Sequence, residues 1–192
     1  RVFVTEDSAQ FTTPGHEEIE LALVRLSDCT GDERYLRLAE FFVDKRGTSK
    51  KDEDNVHYIG LDYSQCHMPV REMSDAVGHS VRAVYLYSAM ADLALRTGDS
   101  ELLEACRRVF NSIAQKRMYI TGGIGSTAYG ERFTEDYDLP NKDAYCETCA
   151  SVGMVMWNQR MNMLKGESRY VDVLERAMYN GALAGISLSS DR

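Results

Sequence analysis

Three times along the 192 residues, a run with helical apolar spacing stops at a glycine and resumes a few residues later behind an acidic side chain. The three instances are L-S-D-C-T-G-D-E-R-Y-L (26–36), L-R-T-G-D-S-E-L-L (95–103) and L-K-G-E-S-R-Y-V (164–171). Glycine supplies the left-handed residue that closes a helix, and an acid at the next N-terminus complements the helix dipole. Each signal therefore marks the turn of a helical hairpin. Gly31, Gly98 and Gly166 stand 67 and 68 residues apart, too far for short solenoid repeats. The spacing suits hairpins laid side by side with long loops between them. An α/α toroid is the architecture that gathers such loops at one end, where they form a site. The expected class is all-α: part of an (α/α)6 barrel, with about six helices making roughly half a toroid, and residues 1–192 forming a single partial domain.

Apolar periodicity places the helices over 16–26, 33–46, 69–96, 100–118, 150–164 and 169–187. The polar stretch 48–65, with its charge run at 50–54, reads as a solvated loop. A net charge of −8 and a pI near 5.0 argue against nucleic-acid and anionic-membrane surfaces, which want basic patches. No apolar run reaches the roughly 20 residues of a bilayer span. The chain opens on Arg1 without a methionine and closes on Arg192, which reads as a fragment of a longer protein; cytoplasmic and periplasmic locations both stay open. The five cysteines, an odd count with three on expected helices or helix ends, do not look like a disulfide framework. Cys29 and Cys106 read as small buried groups, and Cys66 is left without a role.

Residues 119–149 break the helical pattern. Four glycines, a proline, six carboxylates and two cysteines crowd into this connection, and long ordered loops of this kind are usually sites. Glu131 follows Gly130, and a poorly solvated pocket would suit its carboxyl to general-acid work; a solvent-facing loop acid is the alternative. Glu135, Asp136 and Asp138 read as solvated or loop-stabilising. Glu147 and Cys149 would diverge on a helix but converge in an extended segment just before one, as a carboxylate–thiolate half-set for zinc. Cys146 and Cys149 also spell C-x-x-C, although no strand precedes them for a redox fold and no second pair completes a zinc ribbon. His79 reads as lying within the 69–96 helix, a satisfied structural group or a ligand. Gly78 beside it is costly in mid-helix, which implies that something approaches the backbone there. His16 and His67 lie at helix starts that would face the loop end of a toroid.

An ordered set of motifs then resembles glycoside hydrolase family 127, bacterial β-L-arabinofuranosidases with an (α/α)6-barrel catalytic domain. The set is P-G-H-E-E-I-E-L-A-L (14–23), A-V-G-H-S-V-R-A-V-Y-L (76–86), I-T-G-G-I-G-S (120–126), G-E-R-F (130–133), D-Y-D-L-P-N (136–141), Y-C-E-T-C-A-S-V-G (145–153) and E-R-A-M-Y-N (175–180). The resemblance implies a retaining exo-glycosidase acting on terminal furanosyl residues of plant-derived glycans, with a cysteine nucleophile on a Zn²⁺ site. It implies that Glu147 and Cys149 are metal ligands, Glu131 the general acid/base, and His79 a sugar contact; Cys146 matches no required position. The two further cysteines of the family's site would lie beyond Arg192, so the isolated chain is expected to be inactive, with an incomplete zinc site. A carbohydrate substrate and, through the open edge of a half-toroid, a homodimer are the expected partners. A non-catalytic carbohydrate-binding toroid fragment and a zinc-structural module are the rival readings.

Overall fold

The computed structural model describes residues 13–48 and 60–189. The charge run at 50–54 and His57 lie outside the described residues. Among the described residues six α-helices form: α1 (Ile19–Thr30), α2 (Glu33–Lys45), α3 (Ser80–Thr97), α4 (Ser100–Ser112), α5 (Thr148–Lys165) and α6 (Ser168–Ala177). Among the described residues the only extended pairing is three isolated bridges. The hairpin turns form as their sequence dictates. Gly31, Gly98 and Gly166 close α1, α3 and α5 in the left-handed region, at φ of 70°, 74° and 63°. Asp32 and Asp99 then cap α2 and α4, their carboxylates accepting backbone N–H groups of the first turn. Glu167, one methylene longer, caps nothing and pairs with Arg169 at 2.8 Å instead.

Each hairpin packs on itself, α1 on α2, α3 on α4 and α5 on α6, while α3 also lies against both α1 and α5. The result is an arc of an α/α toroid with α1, α3 and α5 as the inner layer. Sequence patterning follows that placement. Outer helices carry one apolar stripe each, such as Leu36, Ala39, Phe42 and Val43 on α2, or Tyr170, Val173 and Ala177 on α6. By contrast α3 buries 13 of its 18 residues because neighbours cover it on several sides. The core is knitted by aromatic rings from four helices. Trp157 (α5) lies 5.1 Å from Tyr87 (α3) and 6.0 Å from Phe110 (α4), which is 4.6 Å from Tyr170 (α6). Each buried ring of this size contributes about 1.5–3 kcal/mol of transfer free energy. No helix among the described residues is long and apolar enough to cross a membrane.

The expected 69–96 helix is corrected. Residues 70–72 make a single 3₁₀ turn, the chain then runs irregularly, and α3 begins only at Ser80. Gly78 is the reason: it sits at φ +74°, and a Cβ there would lie 1.8 Å from the Asp62 carbonyl oxygen. The close approach expected from its cost is present, but it breaks the helix. Of the presumed solvated loop, 60–65 is corrected too. Residues 61–64 form a 3₁₀ turn, and Gln65 is fully buried, its amide nitrogen donating to the Val77 carbonyl at 2.8 Å. Cys29 is exposed rather than buried, whereas Cys106 is fully buried, its thiol pushed up to about 12 by loss of solvation. The last helix stops at Ala177 and continues as a π turn and a 3₁₀ turn to Gly185.

Candidate active site

The connection from α4 to α5 is ordered by anchoring into the common helical core and by pairing onto the start of α3. Ile124 and Phe133 are buried at its centre. Its Phe133 N–H donates to the Gly78 carbonyl and the Glu131 carbonyl accepts from the Ser80 N–H, both at 3.0 Å. Ser80 Oγ adds a second donor to the same carbonyl at 3.1 Å. These bonds hold Glu131 at φ 49°, a left-handed conformation that costs a non-glycine residue on the order of 1–3 kcal/mol. The strain aims its side chain at His79.

His79 is not inside a helix but is the N-cap of α3. Its Nδ1 accepts the backbone N–H groups of Val81 (3.2 Å) and Arg82 (3.3 Å). The ring proton is therefore on Nε2, which donates to Glu131 Oε2 at 2.9 Å. Tyr145 donates its hydroxyl to the other oxygen, Oε1, at 3.1 Å. Burial lowers the pKa of His79 against the pull of Glu131, so the ring is a neutral donor near pH 7. The Glu131 side chain is 40% exposed and His79 only 8%, which leaves the carboxylate open to a ligand with its holder behind it.

The chain enters α5 through Glu147, whose backbone is extended, and side chains alternate along such a segment. Tyr145 and Glu147 thus share the face toward Glu131, while Cys146 turns to the other side. There it lies against the glycine turn, where a Cβ on Gly123 would sit 2.9 Å from its own Cβ. Cys146 is exposed, and its thiol donates to the Gly125 carbonyl at 3.6 Å. Glu147 is the N-cap of α5, and its carboxylate and the Cys149 thiol are close enough to shift one another's pKa, so the i, i+2 pair converges. Ligand atoms of His79, Glu131 and Glu147 all lie within 4.8 Å of one another. Burial, and then the charge of Glu131, raise the Glu147 pKa; burial and the Glu147 charge raise that of the Cys149 thiol. Glu147 Oε2 is buried without a hydrogen-bond partner. A carboxylate with an orphaned oxygen, beside a second carboxylate and a thiol, is a donor set that a divalent cation satisfies.

His16 joins from before α1, its ring 6.0 Å from that of His79 and 6.0 Å from that of Tyr85. The site thus lies where the N-terminal ends of the three inner helices meet, and their dipoles favour anionic groups. His79, Glu131 and Glu147 are brought together, while Cys149 lies beside Glu147 and outside that grouping. Tyr145 was missed by sequence reasoning, although its place two residues before Glu147 in an extended run was a readable signal. Asp136 is loop-stabilising, paired with Lys116 at 2.7 Å and Arg117 at 2.6 Å.

Fold and site together define a class, an α/α-toroid domain with a carboxylate cluster at the N-terminal ends of its inner helices. Within that class the chain belongs to the GH127 β-L-arabinofuranosidase catalytic-domain family, whose description matches residues 1–192. It is 43% identical to the non-reducing end β-L-arabinofuranosidase of Bifidobacterium longum subsp. longum, over 97% of this chain and 30% of that protein. The crystal structure of a GH127 β-L-arabinofuranosidase from Geobacillus stearothermophilus T6 superposes with a TM-score of 0.92. That match has 44% identity and covers 99% of this chain and 32% of the other. A second GH127 β-arabinofuranosidase structure gives 0.90 and 46%, over 98% of this chain and 28% of the other. The chain thus spans about 30% of the length of the curated relative it matches.

Proposed function

We propose that the protein containing this chain is a retaining, exo-acting β-L-arabinofuranosidase that removes terminal furanosyl residues from plant-derived glycans. In this reading Glu131 is the general acid/base, His79 a sugar contact, and Glu147 and Cys149 two ligands of a zinc site. The observation that carries it is the clasp on Glu131: a half-exposed carboxylate whose two oxygens each accept one neutral donor, His79 Nε2–H and Tyr145 O–H.

The chemistry follows from that clasp. In its acid form Glu131 delivers a proton to the departing glycosidic oxygen, and the carboxylate left behind is the species that His79 and Tyr145 stabilise. In the second half of the cycle the same carboxylate takes a proton from the water that releases the sugar, which returns the acid. Most retaining glycosidases pair such an acid with a second carboxylate about 5 Å away as nucleophile. Glu147 is the nearby carboxylate, but its buried, partnerless oxygen and the thiol of Cys149 beside it suit a metal ligand better than an attacking group. Zinc, when bound, supplies positive charge that keeps coordinated thiols deprotonated. The nucleophilic thiolate that the family resemblance implies would come from outside residues 1–192.

One observation favours a second reading: the grouping of His79, Glu131 and Glu147 is itself a metal-competent triad, which would make the site zinc-structural and leave no free acid. Metal analysis of the full-length protein separates the two. On the first reading Glu147→Gln and Cys149→Ser lose zinc while Glu131→Gln keeps it and loses turnover. Loss of zinc from Glu131→Gln, with zinc kept by Cys149→Ser, would establish the second.

A further inference from the structure

Behind the two histidines lies a buried cluster of four charged side chains. Arg46, Glu17 and Glu20 are fully buried, and the Arg82 side chain is 13% exposed. Arg46 donates to Glu17 Oε1 at 2.8 Å and to the Ser64 carbonyl at 2.9 Å, and lies 3.4 Å from Glu20 Oε1. Arg82 Nη1 donates to the Gly15 carbonyl at 2.8 Å and reaches the other oxygen of Glu17 at 3.4 Å. Buried ion clusters are a poor source of stability, because desolvating the charges cancels most of the attraction; apolar residues of the same volume do as well or better. This cluster is better explained by what it holds in place.

Arg82 is the group that touches both sides. Its main chain meets the His79 cap, since the Arg82 N–H donates to Nδ1 and helps keep the ring proton on Nε2. Its guanidinium lies over the Tyr63 ring, 5.1 Å from the centroid, and that ring stands edge-on to His79 at 5.4 Å. Through its side chain it ties down residues 15 and 17, the two neighbours of His16. His16 is thereby pinned from both directions and presented 6.0 Å from His79.

We propose that Arg82 is a positioning residue, a clamp that fixes His16 relative to His79 and so sets the histidine wall of the sugar cleft against Glu131. The proposal rests on the glycosidase reading of the site. Arginine is required because one guanidinium must serve a carbonyl, a carboxylate and a ring face at once, which a lysine ammonium does not do.

The test uses the full-length protein, with turnover of p-nitrophenyl β-L-arabinofuranoside and the ring NMR signals of His16 and His79 as readouts. Arg82→Met should lower kcat/KM by about 10–100-fold, the range for lost supporting contacts, and displace both ring signals; Arg82→Lys should recover only part. Because Arg82→Met leaves the Glu17 charge half-compensated, the double variant Arg82→Met/Glu17→Gln is made alongside. It should regain thermal stability without regaining kcat/KM or the ring signals. Recovery of all three in the double variant would show a merely structural role and overturn the proposal, as would unchanged kcat/KM and ring signals in Arg82→Met. If the unsubstituted protein turns nothing over, the glycosidase reading fails by itself, and the ring signals then decide alone: displaced by Arg82→Met they support the clamp, unmoved they overturn it.

Discussion

At the scale of single residues, Glu131 is defined by its donors. Tyr145→Phe removes one charge-assisted hydrogen bond from the carboxylate that catalysis leaves behind, worth about 1.5–3 kcal/mol. We expect kcat/KM of the full-length protein to fall by roughly 10–100-fold, with the fold unaltered by circular dichroism; an unchanged rate would remove Tyr145 from the site. The histidines make a second prediction. Burial lowers the pKa of His16, His67 and His79 below the ordinary 6.5. As pH falls through 6.5 the unfolded chain takes up these protons before the folded one does. The histidine contribution to stability is therefore complete above pH 6.5 and is lost as pH drops towards the depressed folded values. Buried Glu17, its pKa raised to about 7 by desolvation, contributes with the opposite sign in this window, so the histidine part is read as a difference. Between pH 7.5 and 5.5 the urea midpoint of His79→Gln should fall less, or rise more, than that of the unsubstituted protein, and equal slopes for the two would contradict the assignment. Glu131, Glu147 and Cys149 were legible in the sequence as candidates because loop glycines and an E-x-C before a helix are local signals. What the sequence did not disclose was His79 as a cap, since A-V-G-H-S-V-R is equally compatible with mid-helix when the partner of Gly78 is 16 residues away in the chain, at Asp62.

At the scale of elements, two glycines set how closely backbones meet. Gly153 on inner helix α5 faces α3, and a Cβ there would lie 2.3 Å from Val84 Cγ2. Glycine to alanine in mid-helix ordinarily gains about 1 kcal/mol. Here Gly153→Ala should instead cost about 1–3 kcal/mol, because Val84 is β-branched and fully buried and has no room to retreat. A thermal midpoint at or above that of the unsubstituted protein would contradict this packing. Gly78→Ala should be worse, by about 2 kcal/mol or more, since it meets backbone and also demands a positive φ. The hairpin turns were readable because Gly-Asp at a helix junction is a chemical instruction carried by adjacent residues. The true start of α3 and the packing of 60–65 were not, because both depend on contacts between distant segments.

At the scale of the whole molecule, the repeated turn signal was enough to anticipate paired helices in an arc, because each hairpin needs neighbours to bury its inner helix. It also implied a site at one end, and the N-termini of α1, α3 and α5 do converge there with His16, His79 and Glu147. Pattern alone did not predict the pairing of Arg82 with buried Glu17, since charged side chains ordinarily face solvent. The central claim is that this convergence makes Glu131 the proton donor and acceptor of a retaining arabinofuranosidase. The most direct measurement is proton NMR of the sugar released by the full-length protein from a terminal β-L-arabinofuranoside, run in parallel with Glu131→Gln. The account predicts that the first-formed sugar keeps the β configuration, and that Glu131→Gln slows release from an unactivated leaving group by about 10²–10⁴-fold. Inverted product, or release by Glu131→Gln at the unsubstituted rate, would contradict it.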